Sequence, residues 1–137
     1  MRIDREQARA WFERARVARL ASADAVGRPH LVPIVFAVRG SVIVTAVNHK
    51  PKRTSDLRRL RNVAENPQVA LLADHYDEDW DQLWWTRADG RAEVTDAAAH
   101  PDLVAALVEK YPQYRRKPPT GRLIVIRVER WTGWRSA

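Results

Sequence analysis

Short apolar segments separated by tight turns occupy the first third of the chain, and they constrain its fold most. Residues 17–23, 28–38 and 42–47 have the apolar and β-branched content of strands. The sequences between them, residues 24–27 and Arg39-Gly40, are typical of turns. Strands joined by such short connections pair as antiparallel neighbours, so this region predicts a three-stranded meander.

The second of these predicted strands carries a proline at its centre. Pro33 has no N–H to donate to a neighbouring strand. It is therefore expected at an edge of the sheet, at a bulge, or where a ligand replaces the neighbouring strand. The same segment is apolar on both faces, which predicts that both faces are covered.

The rest of the chain predicts three more strands and three helices. The strands are expected at residues 69–74, at residues 83–87 and 91–95 as one strand broken by a bulge or bend near Asp89-Gly90, and at residues 122–131. The helices are expected at residues 5–15 after an Asp4 cap, from about residue 54, and from an Asp96 cap to about residue 111. A proline-rich loop is expected at residues 111–120. These elements predict one domain over residues 1–137, mainly β (α+β), with a six-stranded antiparallel barrel and flanking helices.

Charge and composition narrow the classes of function. The net charge of +7 favours an anionic partner, which could be nucleic acid, a phosphorylated cofactor or an acidic substrate. The absence of cysteine excludes disulfides and thiolate catalysis, and no two of the four histidines have metal-ligand spacing, so no metal is expected. No segment is apolar enough to span a bilayer and the charged N-terminus lacks a signal core. A cytoplasmic protein without a membrane partner is therefore expected.

A basic segment, KPKRTSD from Lys50, leads into the second predicted helix. Lys50, Lys52 and Arg53 stand immediately before three residues, Thr-Ser-Asp, any of which can cap a helix. Cations at a helix N-terminus oppose the helix dipole, and an anion bound between them would remove the conflict. The segment predicts either a phosphate-binding loop or a solvated basic turn.

The sequence has no P-loop, no dinucleotide-binding glycine motif and no serine in a nucleophile-elbow context. A cofactor that supplies its own chemistry remains, and a barrel with an anion-binding loop suits a flavin or a flavin analogue. Strand backbone at residues 32–35 and 45–47 would meet the polar edge of the ring, and Trp84 or Trp85 could stack on it.

Several segments together are typical of one known family. They are ARLAS and GRPHLVP within residues 18–33, KPKRT at residues 50–54 with Leu57 following, Asn66-Pro67, and WWTR at residues 84–87 with Gly90 and Ala92. On these segments the chain resembles the pyridoxamine 5′-phosphate oxidase-like split β-barrel family. It resembles most closely the actinobacterial branch that uses the deazaflavin coenzyme F420.

The resemblance implies an FMN-binding type of split β-barrel and a homodimer with two cofactor sites at the subunit interface. It assigns the phosphate to the basic residues after the third strand, which here are Lys50, Lys52, Arg53 and Thr54. It assigns the ring to two strand segments, Val32, Pro33, Ile34 and Val35, and Thr45, Ala46 and Val47. It also implies that Trp85 and Arg87 approach the cofactor from the other chain of the dimer.

The resulting expectation is an F420-dependent oxidoreductase, a reductase that transfers a hydride between the deazaflavin and a conjugated small-molecule acceptor. A quinone, a tetrapyrrole or an enone would be such an acceptor. No obligate catalytic side chain is expected; Tyr76, His75 or a water are weak candidates for a proton donor. The acidic loop at residues 77–80 could narrow or gate the substrate pocket.

Three alternatives stay open at this point. The first is an FMN-dependent oxidoreductase of the same fold, and the second is an F420-binding carrier without turnover. The third is a nucleic-acid-binding barrel that uses the basic run at residues 50–61. Aromatic residues are not interleaved with that run, as a stacking platform would require, so no nucleic-acid partner is expected.

Overall fold

The computed structural model describes residues 1–47 and 54–137, with side chains of the second range described from residue 56 onward. It contains seven strands and four α-helices within these residues. The strands are β1 (Ala18–Ala23), β2 (Pro29–Ile34), β3 (Ala37–Arg39), β4 (Val42–Ala46), β5 (Gln68–His75), β6 (Trp84–Asp96) and β7 (Arg122–Arg135). The helices are α1 (Arg5–Arg14), α2 (Thr54–Glu65), α3 (Pro101–Lys110) and α4 (Pro112–Arg116).

All seven strands belong to one sheet in the order β2-β1-β5-β6-β7-β4-β3, and every neighbouring pair is antiparallel. Ile34 on β2 and Val38 on β3 belong to the same buried cluster although their strands lie at opposite ends of that order. The sheet therefore curls around one core, as the predicted barrel requires. The prediction of a mainly β fold with flanking helices is confirmed.

The predicted count of six strands is wrong, because the strand expected at residues 28–38 is two strands. The break falls at Val35 and Phe36, between β2 and β3. Neither residue belongs to a strand, and the Val35 carbonyl accepts a hydrogen bond from the Thr45 side chain of β4, through Oγ1, at 2.8 Å. The Phe36 N–H donates to Tyr111 Oη at 3.1 Å. Hydrogen bonds with two side chains, one on β4 and one at the end of α3, thus take the place of ladder bonds, which a local strand pattern cannot reveal.

Helix α1 packs on β6 and β7, and it begins after Asp4, as its sequence predicts. Asp4 caps it by accepting a hydrogen bond from the Gln7 N–H at 2.8 Å. The buried Phe12 packs against Phe36 and Trp131, with ring centroids 4.8 and 5.4 Å apart. Aromatic packing of this kind orients the helix on the sheet as well as burying apolar area.

Helix α2 begins at Thr54, so the three capping candidates all lie inside the helix. It packs on β1 and β6. Asn62 on its buried face donates a hydrogen bond through Nδ2 to the buried Ser22 Oγ at 3.2 Å. This polar contact fixes how the helix is rotated on the sheet.

The third predicted helix starts later than expected. A 3₁₀ turn at Ala97–Ala99 follows Asp96, which makes no side-chain capping bond, and α3 begins at Pro101. Proline is favoured at a first helical position because its missing N–H needs no partner there. The loop predicted at residues 111–120 is also wrong in part, since α4 occupies its first half. Helix α3 covers a second cluster, formed with the outer face of β4 and β7.

Strand β6 is continuous, and the register with β7 shifts between Asp89 and Gly90. The bulge predicted there is confirmed. A Cβ at Gly90 would collide with the Arg127 carbonyl oxygen, so the close approach of the two strands requires glycine. No helix within the described ranges is long and apolar enough to cross a membrane.

Candidate functional site

The two ends of the sheet meet at a seam. Strands β2 and β3 lie at opposite ends of the strand order, yet only Val35 and Phe36 separate them along the chain. The bond from Thr45 Oγ1 to the Val35 carbonyl oxygen ties β4 to the end of β2. The predicted ring-binding segments, residues 32–35 and 45–47, therefore lie on the two sides of one seam.

Pro33 lies on the edge strand β2, as its missing N–H predicts. Among the described residues its strand neighbour is β1, where it stands opposite Arg19, and Pro33 is exposed. Val35 is partly exposed immediately after the strand. The outer side of β2 thus leaves backbone and small apolar side chains available to a ligand.

Other predicted ring contacts have limited freedom. Ile34 and Thr45 are buried, and Ile34 belongs to the barrel core. Val47 is buried as well, and its N–H already donates to the Arg122 carbonyl oxygen at 2.8 Å. Ala46 is half-buried opposite Leu123. Fewer of the predicted ring-contact residues are therefore accessible to a ligand than the sequence suggests.

Trp85 and Arg87 lie on the uncovered outer face of the sheet. Arg87 is exposed and its guanidinium pairs with Asp89 Oδ1 at 2.7 Å. The pairings place Arg87 in one cross-strand row with Leu72, Arg19 and Pro33. Three strand spacings separate Arg87 from Pro33 in that row, which is about 14 Å. Arg87 does not reach the seam within its own chain.

Apolar side chains are exposed on the same outer face. Leu31 on β2 is 67% exposed, Leu72 on β5 is 38% exposed and Trp85 on β6 is 37% exposed. Strand alternation directs all three outward, away from the buried Leu20 and Leu71 of the neighbouring positions. Exposed apolar groups that share one sheet face are typical of a contact surface.

The predicted phosphate-binding residues Lys50, Lys52 and Arg53 lie outside the described residues, and the Thr54 side chain does as well. Helix α2 nevertheless begins directly after this segment, as the sequence predicts. The N-terminal end of a helix is in general a suitable environment for an anion.

A polar cluster on the buried face of α2 was not predicted. Asp56 and Arg59 are 8% and 9% exposed and form an ion pair, with Arg59 Nη2 3.2 Å from Asp56 Oδ1. The imidazole Nδ1 of His30, the second carboxylate oxygen of Asp56 and Nε of Arg59 are buried without a hydrogen-bond partner among the described residues. The sequence does hold a signal for this cluster, because Asp56 and Arg59 share the helical face of Val63.

Electrostatics link His30 to this helix. Burial lowers the pKa of His30, and the positive charges of Arg58 and Arg59 lower it further. Burial also lowers the pKa of Arg59, whereas the Asp56 carboxylate raises it. Tyr114 on α4 lies close enough to feel the same guanidinium, although burial is the main reason that its pKa is raised.

The acidic loop between β5 and β6 is ordered by its own side chains. Asp77 Oδ1 accepts a hydrogen bond from the Asp79 N–H at 2.8 Å, and Asp79 caps a 3₁₀ turn at Trp80–Gln82. Ser136 donates a hydrogen bond to the Trp80 carbonyl oxygen, which attaches the loop to the C-terminal strand. His75 stacks on Trp84 with centroids 6.0 Å apart. Within residues 1–47 and 54–137, no three acidic or histidine side chains group to hold a metal ion.

Comparison with known proteins assigns the chain to a protein family. The family model described as pyridoxamine 5′-phosphate oxidase matches residues 4–135. The chain belongs to this family. The family match confirms the split-barrel assignment, while the F420-using branch stays a prediction. The search of curated proteins gave no match.

Solved structures of the same fold include proteins named for different cofactors. A FAD-binding protein from Mesorhizobium loti is 18% identical, with a TM-score of 0.72 over 97% of this chain and 95% of that one. The FAD-binding protein from Mycobacterium smegmatis is 17% identical, with a TM-score of 0.66 over 99% and 98% of the two chains. The haem storage protein HutZ from Vibrio cholerae is 18% identical, with a TM-score of 0.71 over 97% and 95%. At these identities the similarity establishes the fold alone.

Proposed function

We propose that this chain is a coenzyme F420-dependent oxidoreductase. It transfers a hydride between the deazaflavin and a conjugated small-molecule acceptor such as a quinone, a tetrapyrrole or an enone. Membership of the family and the flavin-binding names of structural neighbours support a flavin-type ring. The net charge of +7 supports F420, because its phosphate and polyglutamyl tail carry more negative charge than FMN.

The observation that carries the proposal is the seam between β2 and β4. It brings the segments at residues 32–35 and 45–47 together, and it places an edge strand with an exposed Pro33 beside them. Polar atoms of His30 on β2 and of Asp56 and Arg59 on α2 are buried without a hydrogen-bond partner among the described residues. These features suit a ligand with three parts: a planar ring at the seam, a polar chain beside the buried polar atoms, and a terminal phosphate at the start of α2.

Different residues would bind the ring and the phosphate of the cofactor. Val32, Pro33 and Val35 would lie along the ring, with Thr45 holding the Val35 carbonyl in place. Lys50, Lys52, Arg53 and Thr54 would hold the phosphate by charge-assisted hydrogen bonds at the start of α2. The ring, when bound, supplies the hydride chemistry.

A second subunit completes the proposed site. Arg87 is about 14 Å from Pro33 across its own sheet, and both face outward. A homodimer that buries the exposed apolar face would bring the partner subunit's Trp85 and the partner subunit's Arg87 toward the seam. Each chain then aligns donor and acceptor for the other and excludes water from the hydride path.

No side chain is required to form a covalent bond with the substrate. Tyr76 and His75 are exposed beside the acidic loop and remain the candidates for delivering a proton. Asp77 Oδ2 lies 3.9 Å from His75 Nε2.

FMN is the second candidate cofactor, because two structural neighbours are named for an ordinary flavin. A carrier role without turnover is the other alternative, since another neighbour is named for haem storage. Both use the same seam, so cofactor choice and turnover must be measured separately.

The test titrates the purified protein with F420 and with FMN, following fluorescence. F420 binding, with hydride transfer from reduced F420 to members of a quinone and enone panel, is the expected result. Tight FMN binding without F420 binding would overturn the cofactor assignment. F420 binding without transfer to any acceptor would favour the carrier.

A further inference from the structure

Asp56 and Arg59 are charged residues on the face of α2 that packs on the barrel, where apolar residues are usual. The two residues are one helical turn apart, and as whole residues they are 8% and 9% exposed. Their ion pair uses one carboxylate oxygen and one terminal guanidinium nitrogen. Asp56 Oδ2 and Arg59 Nε remain buried without a partner among the described residues. The pair thus presents one free acceptor and one free donor.

His30 adds a third polar atom to the same region. It lies on β2, two residues before the ring-facing segment that starts at Val32, and its Nδ1 is buried and without a described partner. Its opposite residue on β1 is Ser22, which accepts the hydrogen bond from Asn62 of α2. Strand β2, strand β1 and helix α2 therefore meet at this point.

An unpaired buried polar atom is unfavourable, so three in one region are costly unless a ligand engages them. The chemistry of the cluster selects the ligand. Asp56 and Arg59 together carry no net charge, so they do not favour an anion over a neutral group. A hydroxyl can donate to Asp56 Oδ2, and it can accept from Arg59 Nε. A chain of hydroxyl groups satisfies both at once.

The position of the cluster matches a chain of this kind. Phosphate is proposed at the start of α2, and Asp56 and Arg59 follow within its first two turns. The ring is proposed along β2, and His30 precedes that segment. The ribityl chain, with its hydroxyl groups, joins ring to phosphate in both FMN and F420.

We propose that Asp56, Arg59 and His30 bind the ribityl hydroxyls of the cofactor. The inference rests on the proposed function and makes it more specific. It assigns the residues of α2 to the chain of the cofactor, separately from the basic segment that holds the phosphate. A purely structural ion pair is the competing explanation, and it predicts no dependence on the hydroxyls of the ligand.

The experiment compares cofactor fragments with and without those hydroxyls. One pair is deazaflavin ribityl phosphate and its phosphopentyl counterpart, in which five methylene groups replace the ribityl chain. The other pair is FMN and phosphopentyl flavin. Wild-type protein is expected to bind the ribityl member of at least one pair about tenfold or more tightly than its counterpart. Equal binding of both members would overturn the inference and leave the proposed function standing.

The variant Asp56→Leu/Arg59→Met separates ligand binding from structure. Replacing a buried ion pair by apolar residues of similar volume commonly preserves folding. The preference for the ribityl member is expected to disappear, while affinity for the phosphopentyl member stays within about threefold of wild type. Arg61→Gln removes an exposed positive charge from the same helix and is the control that should keep the preference. A double variant that keeps the preference overturns the inference.

The experiment also gives an answer if the double variant does not fold or if wild type binds none of the four ligands. If the double variant does not fold, the comparison of ribityl and phosphopentyl ligands on wild type still gives the answer. If wild type binds no member of either pair, the proposed function itself is overturned, and the ribityl assignment with it.

Discussion

The Tyr111 phenol accepts a 3.1 Å hydrogen bond from the Phe36 N–H and donates a 3.0 Å hydrogen bond to the Arg16 carbonyl oxygen. It thereby joins the break between β2 and β3 to the segment that links α1 to β1. The neighbouring Lys110 donates to the Glu13 and Ala15 carbonyl oxygens at 2.9 and 2.7 Å. Hydrogen bonds from the C-terminal turn of α3 therefore connect the barrel seam to the end of α1.

Removal of the Tyr111 hydroxyl is expected to destabilise the fold. Tyr111→Phe leaves the buried Phe36 N–H without an acceptor, so the free energy of unfolding should fall by about 1–3 kcal/mol. Urea denaturation followed by tryptophan fluorescence measures this change. Tyr76→Phe alters an exposed tyrosine and should change stability by less than about 0.5 kcal/mol. Equal effects of the two substitutions would contradict the role of the Tyr111 bond.

Lys110 should make stability depend on alkaline pH. Burial, together with the nearby charge of Arg16, lowers the pKa of Lys110 from 10.5 to about 8. Between these values the unfolded chain binds more protons than the folded one, so this group makes stability rise as pH increases from about 8 to 10.5.

Urea denaturation at several pH values tests this for wild type and Lys110→Met. Over that range wild type should gain on the order of 1–2 kcal/mol relative to the variant, a value reduced for the partial exposure of the ammonium group. The comparison cancels the titration of the tyrosines, which both proteins share. A constant difference between the two proteins would refute the lowered pKa.

Gly90 should tolerate no side chain. A Cβ there would overlap the Arg127 backbone carbonyl, which the β6–β7 ladder holds in place, so Gly90→Ala should cost about 2 kcal/mol or more. Gly133→Ala is the matched substitution. Its Cβ would first meet the Ile3 side chain at 2.7 Å, and that chain end can move. Thermal denaturation should therefore show a larger loss for Gly90→Ala; the reverse order would count against the bulge as the cause.

The exposed apolar face should carry the proposed dimer contact. Leu31→Asp places a carboxylate on that face, and a two-fold interface would bury it twice, so dimer affinity should fall by about tenfold or more. Sedimentation equilibrium measures this. Val26→Asp changes a residue of similar exposure, 74%, in the turn between β1 and β2, and should leave association unchanged. A wild-type chain that is monomeric throughout would reject the dimer and the two-chain site together.

The amino-acid sequence by itself left three positions open for Pro33, an edge, a bulge or a ligand site, and its three-stranded meander is wrong, because β5, β6 and β7 lie between β1 and β4. It did determine the β1–β2 and β3–β4 hairpins, α1 with its Asp4 cap, the bulge at Gly90 and the absence of Pro33 from the middle of the sheet. Each of these follows from local chemistry: turn residues, helical periodicity, a side-chain cap and a missing N–H. The sequence also pointed to the basic segment before α2, whose contacts are still a prediction.

Only the tertiary structure decided the break at Val35 and Phe36, because the hydrogen-bond partners there are side chains, and one of them, Tyr111, is 75 residues from Phe36 along the chain. The same holds for the burial of Asp56 and Arg59. Charged residues at helical spacing are usually solvated, and the packing of α2 on the barrel, not the spacing, makes these two buried. Local patterns encode local geometry, whereas burial and long-range hydrogen bonds exist only once the sheet has curled.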